Sequence, residues 1–162
     1  MLRPLSRPLH LVLVEPQIPP NTGNVARLCA VTGSRLILVE PLGFSISDRH
    51  LRRAGLDYWD KVLLALLPSW GAYLEAFPRP RRFLFSARSG TSLFGLRFAE
   101  GDHLVFGSET AGLGDEILTS GMGEVACIPM LPERRSLNLS TAVGIAAYEA
   151  LRQIGAAAPA GG

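Results

Sequence analysis

Short, unbroken apolar runs recur along this chain, each followed by a stretch of helical periodicity. Leu9 to Val14, Arg35 to Glu40, Arg82 to Ser86, His103 to Phe106 and Glu124 to Ile128 are each too short for a helix and apolar nearly throughout. Runs of that length and composition read as strands buried on both faces. Gly23 to Thr32 places Val25, Leu28, Cys29 and Thr32 toward one side, and Gly33 follows as a stop. Pro16, Pro19 and Pro20 read as a proline-rich turn. Ser47 or Asp48 can cap a short arginine-rich helix through Ala54. Lys61 to Leu66 is a candidate short strand, and Ser69 can cap a helix to about Phe77. Asp115 to Ser120 reads as a short helix. Leu139 to Ile154 is the longest, with positions 139, 143, 146, 147, 150 and 154 forming one broad apolar stripe. Strands alternating with helices imply an α/β fold with a mostly parallel sheet flanked by helices. Ligands of such sheets collect in the loops beyond the carboxyl ends of the strands.

The 162 residues suit one domain, expected over 1–155, with a disordered Gly/Ala/Pro tail over 156–162. With 48% hydrophobic and 19% charged residues the chain is globular rather than disordered. A net charge of +2 permits nucleic acid as a partner without demanding it. Lys61 is the only lysine. Genomic base composition accounts for that bias, and arginine's planar fork also suits phosphate. Cys29 and Cys127 sit among apolar neighbours with no CxxC or Cys/His cluster, so free thiols in a reducing compartment are expected, with no metal site. The run after Arg3 and Arg7 is too short and too soon broken by Glu15 and Pro16 for a signal peptide. No apolar stretch reaches the roughly 18–20 residues of a membrane span. A cytoplasmic location is expected.

Loops after strands carry the candidate chemistry. In the first, Pro20 to Arg27, Asn21 or Thr22 can cap the helix while Gly23 eases the turn. Arg27, one helical turn further, can reach a phosphate or a developing oxyanion. The second, Phe106 to Gly114, is glycine-rich, but its spacing is not GxGxxG, and no Gly-Lys-Ser/Thr exists for a Walker A loop. It is either a ligand loop of another kind or a tight turn. The third, Ile128 to Ser140, holds prolines, Arg134, Arg135 and the Ser136, Asn138, Ser140 series. One of Ser136 and Asn138 is expected as a helix cap. The stretch is polar enough to offer backbone groups to a flat heterocycle and side chains to a second substrate.

In register, these loops resemble the three motifs of the knotted SPOUT RNA methyltransferases: Asn21 to Asn24 with Arg27, Gly107 to Glu109 with Gly112 and Leu113, and Ile128 to Met130 with Ser136 to Ser140. Glu15-Pro16, Glu40 to Phe44, Gly55 to Tyr58 and Tyr148 to Ala150 extend the resemblance to the small single-domain tRNA wobble 2′-O-methyltransferases, the TrmL group, over roughly residues 9–153. The resemblance implies a C-terminal trefoil knot and a homodimer with its active site near the subunit interface. It implies S-adenosylmethionine (S-adenosyl-L-methionine) as methyl donor, held by Ser86, Gly107, Ile128 and Ser136, with Glu109 and Met130 lining the pocket. Arg27 matches the arginine at the ribose 2′-hydroxyl, and Asn21, Ser136 and Asn138 its catalytic polar surround. The implied partner is the tRNA anticodon stem-loop, methylated at a wobble cytidine or modified uridine. Arg27 and Arg135 are the expected RNA contacts, and Arg49, Arg52 and Arg53 are either further contacts or a solvated face. Arg134 departs from the pattern, which more often holds a small polar residue there.

The family assigns arginine the role of base. A guanidinium keeps its proton, with a pKa above about 12. Stabilisation of the alkoxide or a grip on a flanking phosphate, with the proton leaving by water, is the better reading for Arg27. His10, His50 and His103 lie outside the motifs and read as structural or surface groups. A SPOUT enzyme for ribosomal RNA or another tRNA position is the nearest alternative. A non-catalytic nucleotide- or RNA-binding module is the second.

Overall fold

The computed structural model describes residues 1–46 and 59–156, and at positions 59 and 60 the backbone alone. The arginine-rich helix expected around Arg49, Arg52 and Arg53, His50, the Gly55 to Tyr58 segment and residues 157–162 lie outside the described residues. Within them, strands β1 (His10–Val14), β2 (Arg35–Val39), β3 (Leu63–Leu67), β4 (Arg82–Phe85), β5 (Thr91–Ser92), β6 (His103–Phe106) and β7 (Glu124–Cys127) form one sheet in the order β3-β2-β1-β6-β4-β7-β5. Every pairing is parallel, with His10 opposite both Arg35 and His103, and Phe83 opposite both Leu104 and Glu124. The expected mostly parallel α/β sheet is therefore present. The order has one peculiarity: β6 lies between β1 and β4, and β7 between β4 and β5, so two late strands occupy gaps left by earlier ones.

Helices α1 (Pro19–Thr32), α2 (Trp59–Val62), α3 (Trp70–Ala76) and α4 (Asp115–Leu118) lie between strands, and α5 (Leu139–Ile154) follows the last of them. Side chains alternate across each strand. Leu11, Leu13, Leu36, Leu38, Phe83, Phe85, Leu104 and Phe106 pack on one face with Val25, Ala26 and Cys29 of α1 and Val143, Ala146, Ala147 and Ala150 of α5. Val12, Val14, Ile37, Val39, Leu84 and Val105 pack on the other with Tyr73 of α3 and Leu113. Double-sided burial is why these strands read as continuous apolar runs.

Three boundaries differ from the sequence reading. α1 starts at Pro19, because prolines at the first helical positions lack N–H groups that no intrahelical partner would accept anyway. Its N-cap is Ile18 in extended conformation without a side-chain cap bond, so neither Asn21 nor Thr22 caps the helix; both are buried in its first turn. The stretch expected as one strand from Lys61 divides, Lys61 and Val62 closing a helical turn before β3. Ala156, expected in the tail, is fully buried, and its carbonyl accepts from the Arg3 N–H at 2.7 Å. α3 begins on Ser69, whose hydroxyl accepts from the Ala72 N–H at 3.1 Å, and α1 and α5 end on left-handed Gly33 and Gly155.

Candidate active site

The loops beyond the carboxyl ends of β4, β6 and β7 enclose a cleft of about 1100 Å³. Its floor is apolar, with Phe85 stacked on Phe106 at 4.6 Å and 7°, and Ile128, Leu113 and Leu139 alongside. Backbone dominates its wall. A Cβ on Gly107 would lie 1.9 Å from the Gly112 carbonyl carbon and 2.1 Å from the Leu113 nitrogen, so only glycine lets the two ends of this loop meet. Their meeting is sealed by Ser108 N–H to Gly112 O at 3.2 Å and Gly112 N–H to Ser108 O at 2.9 Å, with Gly112 at φ +67°. The glycine loop is thus a closed loop on a cleft wall. Ser86 extends the ladder past β4, its N–H donating to Ala126 O at 2.8 Å, and its hydroxyl accepts from the Arg88 N–H at 3.2 Å.

One polar line joins all three motifs. The Glu109 carboxylate accepts from the backbone N–H groups of Gln17 at 2.8 Å and Ile18 at 3.1 Å, and from the Asn21 side-chain amide at 3.0 Å. Asn21 Oδ1 accepts from Asn138 Nδ2 at 3.0 Å. Asn138 Oδ1 in turn accepts from the Ser140 hydroxyl at 2.8 Å and from the Thr141 N–H at 3.3 Å, which caps α5. Of the two expected caps it is Asn138, not Ser136, that serves. Glu109 accepts from the two N–H groups just ahead of α1, a place where a carboxylate is also favoured by the helix dipole.

Ser86, Gly107, Glu109, Ile128, Met130, Arg135 and Ser136 all line the cleft. Asn21 and Asn138 stand behind it, connected through Glu109. Arg27 does not join them: it is exposed on α1 and is not among the cleft's lining residues. The cleft adds Arg88, Arg134 and Asp115 to the charged residues expected there. Arg88 had one available signal, its place in a loop after a strand. Cys127 is a free thiol near the sheet's edge, its Sγ donating to Gly90 O at 3.4 Å, and Cys29 is free and buried.

A histidine and a tyrosine with perturbed titration lie at the opposite, amino-terminal end of the strands. His10 stacks on His103 at 4.3 Å, and Tyr73 Oη lies 2.8 Å from His103 Nδ1 while accepting from Arg82 Nε at 3.2 Å. Burial, then the neighbouring His10 and Arg82, hold the His103 pKa down at about 3, and burial raises the Tyr73 phenol to about 12. His10 and His103, expected as structural or surface groups, pack within this cluster away from the cleft. Among the described residues no group of three or more His, Cys, Asp or Glu side chains is placed to hold a metal ion. None of their helices is long and apolar enough to cross a membrane.

The parallel sheet, with its glycine-closed loop after one inserted strand and a polar capped helix after the next, is that of a family of methylases: this chain belongs to the SpoU rRNA Methylase family, whose model matches residues 8–148. Within that class it is 50% identical over 149 residues to the tRNA (cytidine(34)-2′-O)-methyltransferase of Polaromonas sp., covering 90% of this chain and 91% of the relative. A solved structure concerned with the 2-OH methylation of C/U34 on tRNA is similar with a TM-score of 0.85 and 54% identity, covering 91% of this chain and 96% of that one. The fold is shared with the SpoU methyltransferase AviRb from Streptomyces viridochromogenes in complex with the cofactor AdoMet, at a TM-score of 0.80 and 24% identity, over 94% of this chain and 60% of that one.

Proposed function

We propose that this chain methylates the ribose 2′-hydroxyl of the tRNA wobble nucleotide, a cytidine or modified uridine, using S-adenosylmethionine. The observation that carries the reading is the meeting of the second and third motifs on one cleft, with the first motif, on α1, tied to it through Glu109 and Asn21. The similarity to tRNA (cytidine(34)-2′-O)-methyltransferases supports the substrate. The cleft fits the donor: its volume of about 1100 Å³ exceeds what a molecule of that size fills, its floor takes a flat heterocycle, and Gly107 leaves backbone at the wall where a side chain would intrude. Ser86, Gly107, Ile128, Met130 and Ser136 would hold it, and when bound it supplies an electrophilic methyl group.

The protein's own part is positioning and charge. Holding the 2′-oxygen in line is worth several kcal/mol of barrier. Arg27 stabilises the developing alkoxide, and the proton leaves by water. Arg135 grips a flanking phosphate of the anticodon stem-loop. Arg27 lies outside the cleft of its own chain, so the site is completed by a second copy. Phe94, Ile145 and Tyr148 are exposed together along an apolar groove of about 480 Å³ beside α5, on the sheet face that also carries α1. Pairing two chains through that face buries the groove and brings Arg27 to a shared active site. The late insertion of β6 and β7 between earlier strands supports a trefoil knot in the C-terminal half. The whole acts as one catalytic domain in the cytoplasm.

Purified protein incubated with labelled S-adenosylmethionine and total tRNA tests this reading. Label mapped as a 2′-O-methyl group at the first anticodon position is the expected result. Label at another position, or in ribosomal RNA alone, overturns it.

A further inference from the structure

We propose that Glu109 is a positioning residue that, against the Thr141 N–H at the far end, fixes the direction of every hydrogen bond in the line from α1 to α5 and holds Asn138 as a pure donor toward substrate. The inference rests on the methyltransferase reading above and adds a role within it. An amide side chain can be turned either way; a carboxylate cannot, because it only accepts. Glu109 takes the N–H groups of Gln17 and Ile18 and therefore must also accept from residue 21. That turns the Asn21 nitrogen toward Glu109 and leaves its oxygen facing Asn138. Asn138 must then donate to Asn21, and its own oxygen is filled by Ser140 and Thr141. An sp² oxygen has two lone pairs, so Asn138 has no acceptor left. One amide hydrogen remains for a ribose or phosphate oxygen. Asn138 therefore cannot take the 2′-hydroxyl proton; it can only orient the oxygen that loses it.

The anchor is a helix start without a side-chain cap of its own. Pro19 and Pro20 occupy the first helical positions and Ile18 offers no side-chain cap. The carboxylate arrives from 91 residues away in sequence, so the head of α1, eight positions before Arg27, is tied to the β6 loop through Glu109.

A swap of the two partners tests direction rather than mere presence. In Asn21→Asp, two carboxylates face each other, and methyl transfer at saturating tRNA should fall about 100-fold or more. Glu109→Gln loses one backbone bond and should lower kcat by about tenfold or less. In the double variant the new amide at position 109 donates to the new carboxylate at position 21. That carboxylate still accepts from Asn138, and kcat should return to within about threefold of Glu109→Gln alone. Donor affinity, measured by calorimetry, and the melting temperature of Glu109→Gln and the double variant should stay near the wild type, separating this from loss of fold. Asn138→Asp, which removes the donor and turns a carboxylate on Asn21, should be as inactive as Asn21→Asp and should not be rescued by Glu109→Gln. The side-chain amide resonances of Asn138 in ¹⁵N spectra give a readout independent of activity: they should shift in Asn21→Asp and return in the double variant. Additive losses in the double variant, unmoved Asn138 resonances, or an active Asn138→Asp protein overturn the proposal. Absence of any methyl transfer by the wild type would instead overturn the functional reading, with the resonance test still deciding the direction of the line.

Discussion

Adding one methyl group at Gly107 should abolish donor binding while leaving the sheet folded. The new Cβ would sit 1.9 Å from the Gly112 carbonyl carbon and 2.1 Å from its oxygen. Carbon atoms rest at about 3.5–4 Å, so the Gly112–Leu113 backbone would have to retreat by about 1.5 Å or more. That retreat breaks the reciprocal pair between Ser108 and Gly112, at 3.2 and 2.9 Å, each worth about 1 kcal/mol net. Overpacking adds about 1–3 kcal/mol. The total is about 3–5 kcal/mol, carried by a loop outside the strand ladder, so the loop opens before the sheet does. An opening of about 3 kcal/mol lowers the affinity of a ligand that needs the closed loop by more than about 100-fold. Calorimetric titration with S-adenosylmethionine and thermal melting of Gly107→Ala are the assays. Gly112→Ala is the internal control: its φ of +67° is strained for alanine, but no atom lies within 4 Å of the added carbon, so about 1–2 kcal/mol is expected. Donor affinity of Gly107→Ala within about threefold of the wild type would refute the close-approach argument.

Four further outcomes follow from the same geometry. Tyr73→Phe leaves Arg82 Nε and His103 Nδ1 without the hydroxyl between them and should lower stability by about 2–3 kcal/mol in denaturant titration, with donor affinity unchanged because the cluster lies at the other end of the strands. Because His103 is held neutral down to about 3, against 6.5 for a free histidine, the unfolded chain binds a proton that the folded chain refuses. The stability the cluster confers is therefore complete above about pH 6.5 and is lost by about 1.4 kcal/mol per pH unit as pH falls toward about 3, with a further loss from His10, whose pKa is also lowered; urea midpoints across that range should follow. Arg27→Ala, at an exposed site, should change stability by less than about 0.5 kcal/mol yet reduce methyl transfer by about 100-fold or more, and a stable, fully active variant would remove Arg27 from the reaction. Ile145→Asp, placing a charge on the exposed apolar face of α5, should shift the protein to monomer in analytical ultracentrifugation and remove activity with it; a dimer of normal mass would move the interface elsewhere.

What can be seen in the sequence depends on how local its cause is. Of the five apolar runs, those that become β1, β2, β4 and β6 are buried on both faces and need no partner information to be recognised, while β7 is fully buried only at Ala126. α5 is legible to its ends, since Asn138 caps it and Gly155 stops it within the same stretch. β5 is not, because Thr91 and Ser92 are polar, number only two, and become a strand only through pairing with Ala126 and Cys127. The start of α1 is hidden for a comparable reason: adjacent prolines look like a turn until a distant acceptor makes them the head of a helix. Motif residues can be named individually, and seven of them meet in the cleft, but nothing local shows that Arg27 faces away from it.

The same contrast explains why a carboxylate sits in a loop otherwise built for close backbone approach. The β6 loop has to turn back on itself tightly enough for Gly107 to touch Gly112, and a helix elsewhere has to be held beside it without a cap of its own. Glu109 lies between those two glycines, at the point where the closed loop projects outward, so the contact that shapes the cleft wall also aims the acceptor at α1. Opening the loop would then withdraw the acceptor, release Asn21, and take from the Asn138 amide its fixed partner. The cleft wall and the orientation of the polar groups behind it are one mechanical unit, so Gly107→Ala should disturb the Asn138 side-chain resonances as strongly as a change at Glu109 itself.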